Sequence, residues 1–118
     1  LNLAILATGI PFAGRPGKEE MLATLAPVMD QTAGLRRFGV ASLDLAYVAA
    51  GRFDSFWEIG LSPWDVAAGI LLVREAGGFV SEINGHSDPL NSGSILASNS
   101  LLFDQVGKML RKAISSKN

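Results

Sequence analysis

Two carboxylates, Glu58 and Asp65, flank a predicted turn between an apolar strand and an almost wholly apolar helix. Carboxylate oxygens in such a turn can hold a hard cation or a hydroxylated ligand. Asp65 also has a purely structural explanation, because it falls three residues after Ser62 and can complete a capping box at the helix N-terminus. That explanation does not account for Glu58. The spacing therefore leaves open whether the two acids form a ligand site or whether Asp65 is only a helix cap.

The elements around these acids alternate between strand and helix along the chain. Apolar runs predict strands at 1–8, 35–40, 53–59, 78–83 and 94–97. Helical spacing of apolar residues predicts helices at 19–33, 42–50 and 63–76, and a final helix with Val106 and Leu110 on its apolar face. Such alternation predicts an α/β layered fold, in which sites gather where strand ends meet helix starts.

Local signals predict where the helices begin, bend and end. The most apolar helix has Ser62 as a cap, Pro63 at its first position and Gly77 beyond its last turn. Ser42 is the predicted cap of the preceding helix. Pro27 falls inside the first helical pattern and predicts a kink or a break there. Glycine, proline and asparagine predict turns and loops at 9–11, 13–17, 84–85 and 87–93.

Composition excludes several classes of function. The chain has 118 residues, which suits one domain. Because 48% of its residues are hydrophobic, we expect a missing domain or a second subunit to cover part of its apolar surface. A net charge of −1 argues against electrostatic nucleic-acid binding. The chain has no cysteine, which excludes disulfides, thiolate zinc sites and a cysteine nucleophile, and fits a reducing compartment. The most apolar helix, about 21 Å long, is too short to span a bilayer.

The sequence resembles the inositol monophosphatase family of Mg²⁺-dependent phosphatases, and is most similar to its bacterial extragenic suppressor type. The strongest match is the run from Trp64 to Gly78, Trp-Asp-Val-Ala-Ala-Gly-Ile-Leu-Leu-Val-Arg-Glu-Ala-Gly-Gly. Three further runs match the family as well: Arg36–Arg52, Phe56–Leu61 and Ala7–Phe12. The resemblance covers essentially the whole chain.

The resemblance implies the C-terminal half of a layered α-β-α-β-α fold, a mixed sheet flanked by helices. Family members carry their other metal-binding acids in an N-terminal half, on a Glu-Glu pair and an Asp-Pro-Ile-Asp-Gly-Thr-like segment. No Asp-Pro-Ile-Asp-Gly-Thr-like segment occurs in these 118 residues. We therefore expect residues 1–118 to form a C-terminal domain that has negligible activity by itself.

The resemblance also implies roles for both acids. Asp65 matches a family aspartate that ligates Mg²⁺, and a helix cap is compatible with that role. Glu58 matches a family glutamate that hydrogen-bonds a hydroxyl of the substrate's ring. The alternative for Glu58 is a solvated acid at a strand end.

The second group of expected site residues precedes the helix at 42–50. Gly39, Val40 and Ala41 match a segment whose backbone lines the sugar or inositol pocket, although a structural turn would also favour glycine. Family members often have Ser or Thr in place of Val40. Arg36 matches an arginine near the pocket rim and the subunit contact, and a surface salt bridge would explain it equally well.

The implied function is Mg²⁺-dependent hydrolysis of inositol monophosphates by a cytoplasmic homodimer. Relatives that hydrolyse fructose bisphosphate, histidinol phosphate or phosphoadenosine phosphate provide alternatives within the enzymes. A non-catalytic binding partner of the transcription machinery is the alternative from another class.

Four other residues have simpler explanations. His86, the only histidine, is predicted to lie in an exposed loop. Trp57 and Trp64 are predicted to be packing residues that wall the site. Asp44 lies in the first turn of its helix, where an acid complements the helix dipole.

Overall fold

The computed structural model describes residues 1–9 and 17–116. Its strands are β1 (Ile5–Thr8), β2 (Gly34–Arg36), β3 (Ser55–Glu58), β4 (Phe79–Ser81) and β5 (Ile95–Ser98). Its helices are α1 (Lys18–Gln31), α2 (Ala41–Ala49), α3 (Pro63–Glu75), α4 (Pro89–Ser92) and α5 (Phe103–Ser116). No helix in the described ranges is both long enough and apolar enough to cross a membrane.

The five strands form one mixed sheet in the order β2-β1-β3-β5-β4. β1 pairs in parallel with β2 on one side and with β3 on the other. β5 is antiparallel to both β3 and β4. The three parallel strands therefore run in the same direction, and their carboxyl ends meet at one edge of the sheet.

Helices cover both faces of this sheet. On one face Leu6, Trp57 and Leu96 pack with buried residues of α1 and α5, among them Met21 and Val106. On the opposite face, residues of the same three strands pack with α2 and α3; this second core includes Ala7, Phe56, Ala97, Leu45, Val66 and Ile70. Successive strand residues point to opposite faces, so each strand contributes to both cores. The predicted α/β class with a mixed, helix-flanked sheet is confirmed.

Several predicted boundaries were wrong. β1 begins at Ile5 rather than Leu1, and the apolar side chain of Leu3 is 86% exposed. Of the predicted kink or break at Pro27, the break does not occur, because α1 is continuous from Lys18 to Gln31. Proline is best tolerated in the first turn of a helix, where its missing N–H would have had no partner, but Pro27 lies deep inside α1. It lines an open groove between α1 and α5, together with Ala23 and Met109.

Two further predictions need correction, and one is confirmed. The N-cap of α2 is Val40 rather than Ser42, because the helix begins one residue earlier than predicted. The segment predicted as a loop at 87–93 contains the short helix α4, which Pro89 initiates. The turn at Asn84-Gly85 is confirmed: Gly85 has φ +94° and its N–H donates to the carbonyl of Glu82 at 3.0 Å. The expected turn at 10–11 and the loop at 13–16 lie outside the described residues.

Candidate active site

The expected site residues lie along the edge where β1, β2 and β3 end. β2 ends at Arg36 and leads through a short loop to α2, while β3 ends at Glu58 and leads to α3. β1 ends between them at Thr8. Neighbouring strands lie about 4.8 Å apart, so the ends of β2 and β3 are separated by about 10 Å, with the end of β1 between them.

Asp65 is held by the helix that it caps. Its Oδ2 accepts a hydrogen bond from the backbone N–H of Ser62 at 3.1 Å, and the Ser62 side chain faces the Asp65 N–H to complete a capping box. Pro63 occupies the first helical position, where no N–H is needed. The predicted cap and helix start are confirmed. The carboxylate is therefore fixed at the positive end of the helix dipole, at the site edge.

Glu58 is the last residue of β3 and is half-buried. Its side chain lies against Gly9, the residue that follows β1. The turn beyond Glu58 is tied to another part of the chain, because the N–H of Leu61 donates to the carbonyl of Gly93 at 3.0 Å. The segment between the two acids is therefore anchored at both of its ends.

The loop before α2 carries the second group of expected residues. Gly39 has φ +80°, a left-handed conformation that favours glycine, so the turn by itself explains this residue. Val40 is the N-cap with no side-chain oxygen to offer, and Ala41 begins the helix. The backbone N–H groups of the first turn of α2 consequently point toward the site edge without a side-chain cap.

Arg36 is exposed at the end of the sheet's edge strand. Its Nη1 donates to the carbonyl of the adjacent Leu35 at 3.1 Å. The guanidinium thus lies back along its own strand. The structure gives Arg36 a local backbone contact, and a surface salt bridge is not among its described contacts.

The structure therefore brings these residues to one edge in two groups. Glu58 and Asp65 belong to the β3–α3 junction, and Arg36 with the segment 39–41 belongs to the β2–α2 junction. The end of β1 separates the groups. The ends of β2 and β3, on either side of β1, are about 10 Å apart.

The acids in the described ranges are not grouped closely enough to enclose a metal ion. No group of three or more His, Cys, Asp or Glu side chains there could hold one. Mg²⁺ is usually bound through one or two carboxylates, with water and substrate phosphate as its other ligands. An oriented carboxylate such as Asp65 fits one position of such a site, and the remaining protein ligands would have to come from other residues.

Asp44 lies in the first turn of α2 as predicted, but its burial was not predicted. It is fully buried, and neither carboxylate oxygen has a hydrogen-bond partner within the described residues. Burial raises the pKa of Asp44 from 3.8 to about 6. Its position on the same helix stripe as Leu45 and Val48, both buried, was the available signal.

Of the two tryptophans, only Trp57 is a packing residue. Trp57 is fully buried, and its indole N–H donates to Oγ1 of Thr24 at 2.9 Å. Trp64 is 82% exposed at the start of α3, so its predicted packing role is wrong for this part of the protein. His86 is exposed in the loop after β4, as predicted.

Comparison with known proteins places these features in context. The sequence profile of the inositol monophosphatase family matches residues 1–115. An inositol-1-monophosphatase of Caulobacter vibrioides is 54% identical over 114 residues, which are 96% of this chain and 44% of the relative. The Nus factor SuhB of Pseudomonas aeruginosa is 53% identical over 105 residues, which are 87% of this chain and 39% of the relative.

A solved structure shares the fold closely. The crystal structure of the extragenic suppressor protein SuhB from Bartonella henselae matches with a TM-score of 0.90 and 48% identity, covering 95% of this chain and 43% of that one. The chain thus spans less than half the length of each of these relatives.

Proposed function

Because this chain belongs to the inositol monophosphatase family, we propose that it forms part of a Mg²⁺-dependent phosphomonoesterase that hydrolyses inositol monophosphates. The observation that carries the proposal is the oriented carboxylate of Asp65 in the first turn of α3, the helix that follows β3 and its last residue, Glu58. A relative that is 54% identical bears the name inositol-1-monophosphatase, which supports the substrate class.

In this proposal Asp65 is the one metal ligand that the chain supplies. The hydrogen bond from the Ser62 N–H fixes the orientation of the carboxylate before any ligand binds. A bound Mg²⁺ would supply Lewis-acid polarisation of the phosphate and a more acidic bound water. The other metal ligands and the group that activates water would come from residues outside this chain.

The alcohol part of the substrate would lie between the two groups of site residues. Glu58 would accept a hydrogen bond from a ring hydroxyl, since a half-buried carboxylate is a strong acceptor. The backbone at Gly39, Val40 and Ala41 would line the opposite wall, and Arg36 the rim. Side chains at 39–41 offer no hydroxyl, so recognition there would use backbone groups.

A substrate panel tests the reaction class. The natural protein that contains these residues is incubated with inositol 1-phosphate, fructose bisphosphate, histidinol phosphate and phosphoadenosine phosphate, each with and without Mg²⁺. We expect Mg²⁺-dependent phosphate release with inositol phosphate as the preferred substrate. Preference for another ester would replace the substrate assignment, and release without any divalent cation would contradict the proposed chemistry.

The 118-residue chain alone should be inactive, because one carboxylate cannot assemble the metal site. Intact mass and phosphate release measured on one sample test this expectation. A sample of 12.4 kDa with turnover comparable to that of an intact family member would contradict it.

A binding role in transcription is the second candidate. The relative from Pseudomonas aeruginosa that is 53% identical is named a Nus factor, which favours this class. Asp65→Asn separates the two functions: loss of phosphate release with an unchanged biological role would favour binding. Loss of both would favour catalysis.

We also propose a cytoplasmic homodimer, as the resemblance implies. The outward side of α3 exposes Trp64, Leu71 and Leu72, and an apolar surface of this kind suits burial against another subunit or domain. The mass of the purified natural protein in solution, measured by light scattering, tests the dimer. A monomer at micromolar concentration would contradict it.

A further inference from the structure

Gly9, next to Glu58, has no backbone reason to be a glycine. It follows β1 and is not among the residues with positive φ, so its conformation is open to other amino acids. What excludes a larger residue at position 9 is the lack of space for a side chain. A Cβ on Gly9 would overlap Oε1 and Cδ of Glu58 and lie 2.8 Å from Oε2. All three atoms belong to the carboxylate group, and none belongs to the backbone.

The two backbones cannot separate to make room. Thr8 and Trp57 are paired in the parallel ladder between β1 and β3, and Gly9 and Glu58 follow them directly. The hydroxyl of Thr8 donates to the carbonyl of Trp57 at 2.7 Å, at the last step before the glycine. Trp57 is itself fixed by burial and by its hydrogen bond to Thr24. A side chain at position 9 would therefore displace the Glu58 carboxylate rather than the strand.

We propose that Gly9 is a positioning residue for the candidate active site: the Glu58 carboxylate rests against its bare Cα. A methyl group there moves the carboxylate away from the substrate hydroxyl. This inference rests on the proposed substrate contact of Glu58. It adds Gly9, at the end of β1, to the residues that shape the site, although Gly9 has no side chain of its own. Gly9 acts only through Glu58 and touches no reacting atom.

Kinetics of Gly9→Ala in the natural protein separate positioning from a general structural effect. We expect KM for inositol 1-phosphate to rise roughly tenfold or more, because a charge-assisted hydrogen bond is lost, while kcat changes little. Turnover of p-nitrophenyl phosphate, which has no ring hydroxyl, should be unchanged. Equal loss of activity on both esters with an unchanged KM would indicate partial unfolding and would overturn the proposal.

A double-mutant cycle identifies Glu58 as the mediator. Glu58→Ala alone should raise KM as Gly9→Ala does, and Gly9→Ala should then add less than roughly a twofold further change. Independent, multiplicative effects of the two substitutions would overturn the proposal. Gly107→Ala in α5 is the control, because the atoms nearest to its Cβ would be those of the flexible guanidinium of Arg111 and not of Glu58.

Crystal structures test the contact independently of any activity. In Gly9→Ala the Glu58 carboxylate should move by at least about 1 Å, to normal contact distance from the new methyl group. An unmoved carboxylate would overturn the proposal.

If the natural protein hydrolyses none of the esters, the proposed function fails, and these structures still decide whether Gly9 positions Glu58. If Gly9→Ala does not fold, recovery of folding in Gly9→Ala/Glu58→Ala supports the contact, and failure of both refutes it.

Discussion

Ser62 and Asp65 cap the same helix end reciprocally, with Oδ2 of Asp65 accepting the Ser62 N–H at 3.1 Å. The contact has two consequences. It stabilises α3, because it satisfies N–H groups that the helix leaves unbonded. It also fixes the carboxylate that we propose as a metal ligand, so one conformation of Asp65 can serve both the helix cap and the metal site.

Ser62→Ala should lower stability and leave metal binding largely unchanged. Loss of an N-cap costs about 1 kcal/mol of folding free energy. The variant removes the side-chain half of the capping box but keeps the backbone N–H of residue 62 that orients the Asp65 carboxylate, so we expect a lower midpoint in urea with little change in Mg²⁺ activation. Ser87→Ala, in an exposed loop, is the control. Unchanged stability in Ser62→Ala would show that the capping box contributes nothing in solution.

The buried acid Asp44 predicts an unusual pH dependence of stability. Its pKa is about 6 in the folded chain and 3.8 as the ordinary value, so the folded state holds this proton more tightly than the unfolded state. Its contribution to stability is complete below pH 3.8 and is lost as the pH rises through about 6. Asp44→Asn, which cannot ionise, should raise the melting temperature at pH 7.5 by roughly 5 °C or more and change it little at pH 4.

Melting curves between pH 4 and 8 check this sign. The control is Asp30→Asn, which alters an exposed acid on α1. An Asp44→Asn variant that loses stability equally at both pH values would mean that the carboxylate has a partner in solution, and would contradict the account.

Ser55 and Ser98 form a buried pair across β3 and β5. The Ser55 hydroxyl donates to Oγ of Ser98 at 2.7 Å, and Ser98 donates to the carbonyl of Asp54 at 3.2 Å. Ser98→Ala leaves the buried Ser55 hydroxyl without its acceptor, at a cost of about 1–3 kcal/mol. The double variant Ser55→Ala/Ser98→Ala should recover part of that loss in chemical denaturation. A double variant as unstable as the sum of the two single variants would argue against the pair.

Removal of metal should affect activity without affecting the fold of this part of the protein. No group of three or more candidate ligands occurs within residues 1–9 and 17–116, so no metal cluster stabilises this region from within. EDTA should abolish phosphate release by the natural protein, and Mg²⁺ should restore it. The melting temperature of the 118-residue chain should not change with EDTA; a drop of several degrees would reveal an internal metal site.

The sequence predicted α3 to within one residue, because Ser62, Pro63 and Gly77 are strong and independent boundary signals. It predicted β1 less well. Leu1, Leu3 and Ala4 are apolar like the strand that follows, yet Leu3 is exposed, and composition alone does not reveal which apolar residues lose their contact with water. The continuation of α1 through Pro27 likewise depends on tertiary packing against α5, which outweighs the local preference.

The site was predictable in outline and not in detail. Alternating elements imply that strand ends and helix starts meet at one edge, and Glu58, Asp65 and the segment 39–41 do lie there. The contact between Gly9 and Glu58 was not predictable, because it depends on the register that pairs β1 with β3. The burial of Asp44 was missed because an acid in a first turn already had a sufficient local explanation.

The central claim is that Asp65 is a metal ligand of a phosphatase, and Asp65→Asn tests it most directly. Asparagine can still accept the Ser62 N–H, so the helix cap and the fold should persist. The matched control is Asp104→Asn, an exposed acid in the first turn of α5. With the natural protein and inositol 1-phosphate over a range of Mg²⁺ concentrations, we predict at least roughly a 100-fold loss of phosphate release for Asp65→Asn and none for the control. Wild-type rates and an unchanged Mg²⁺ dependence in Asp65→Asn would contradict the claim.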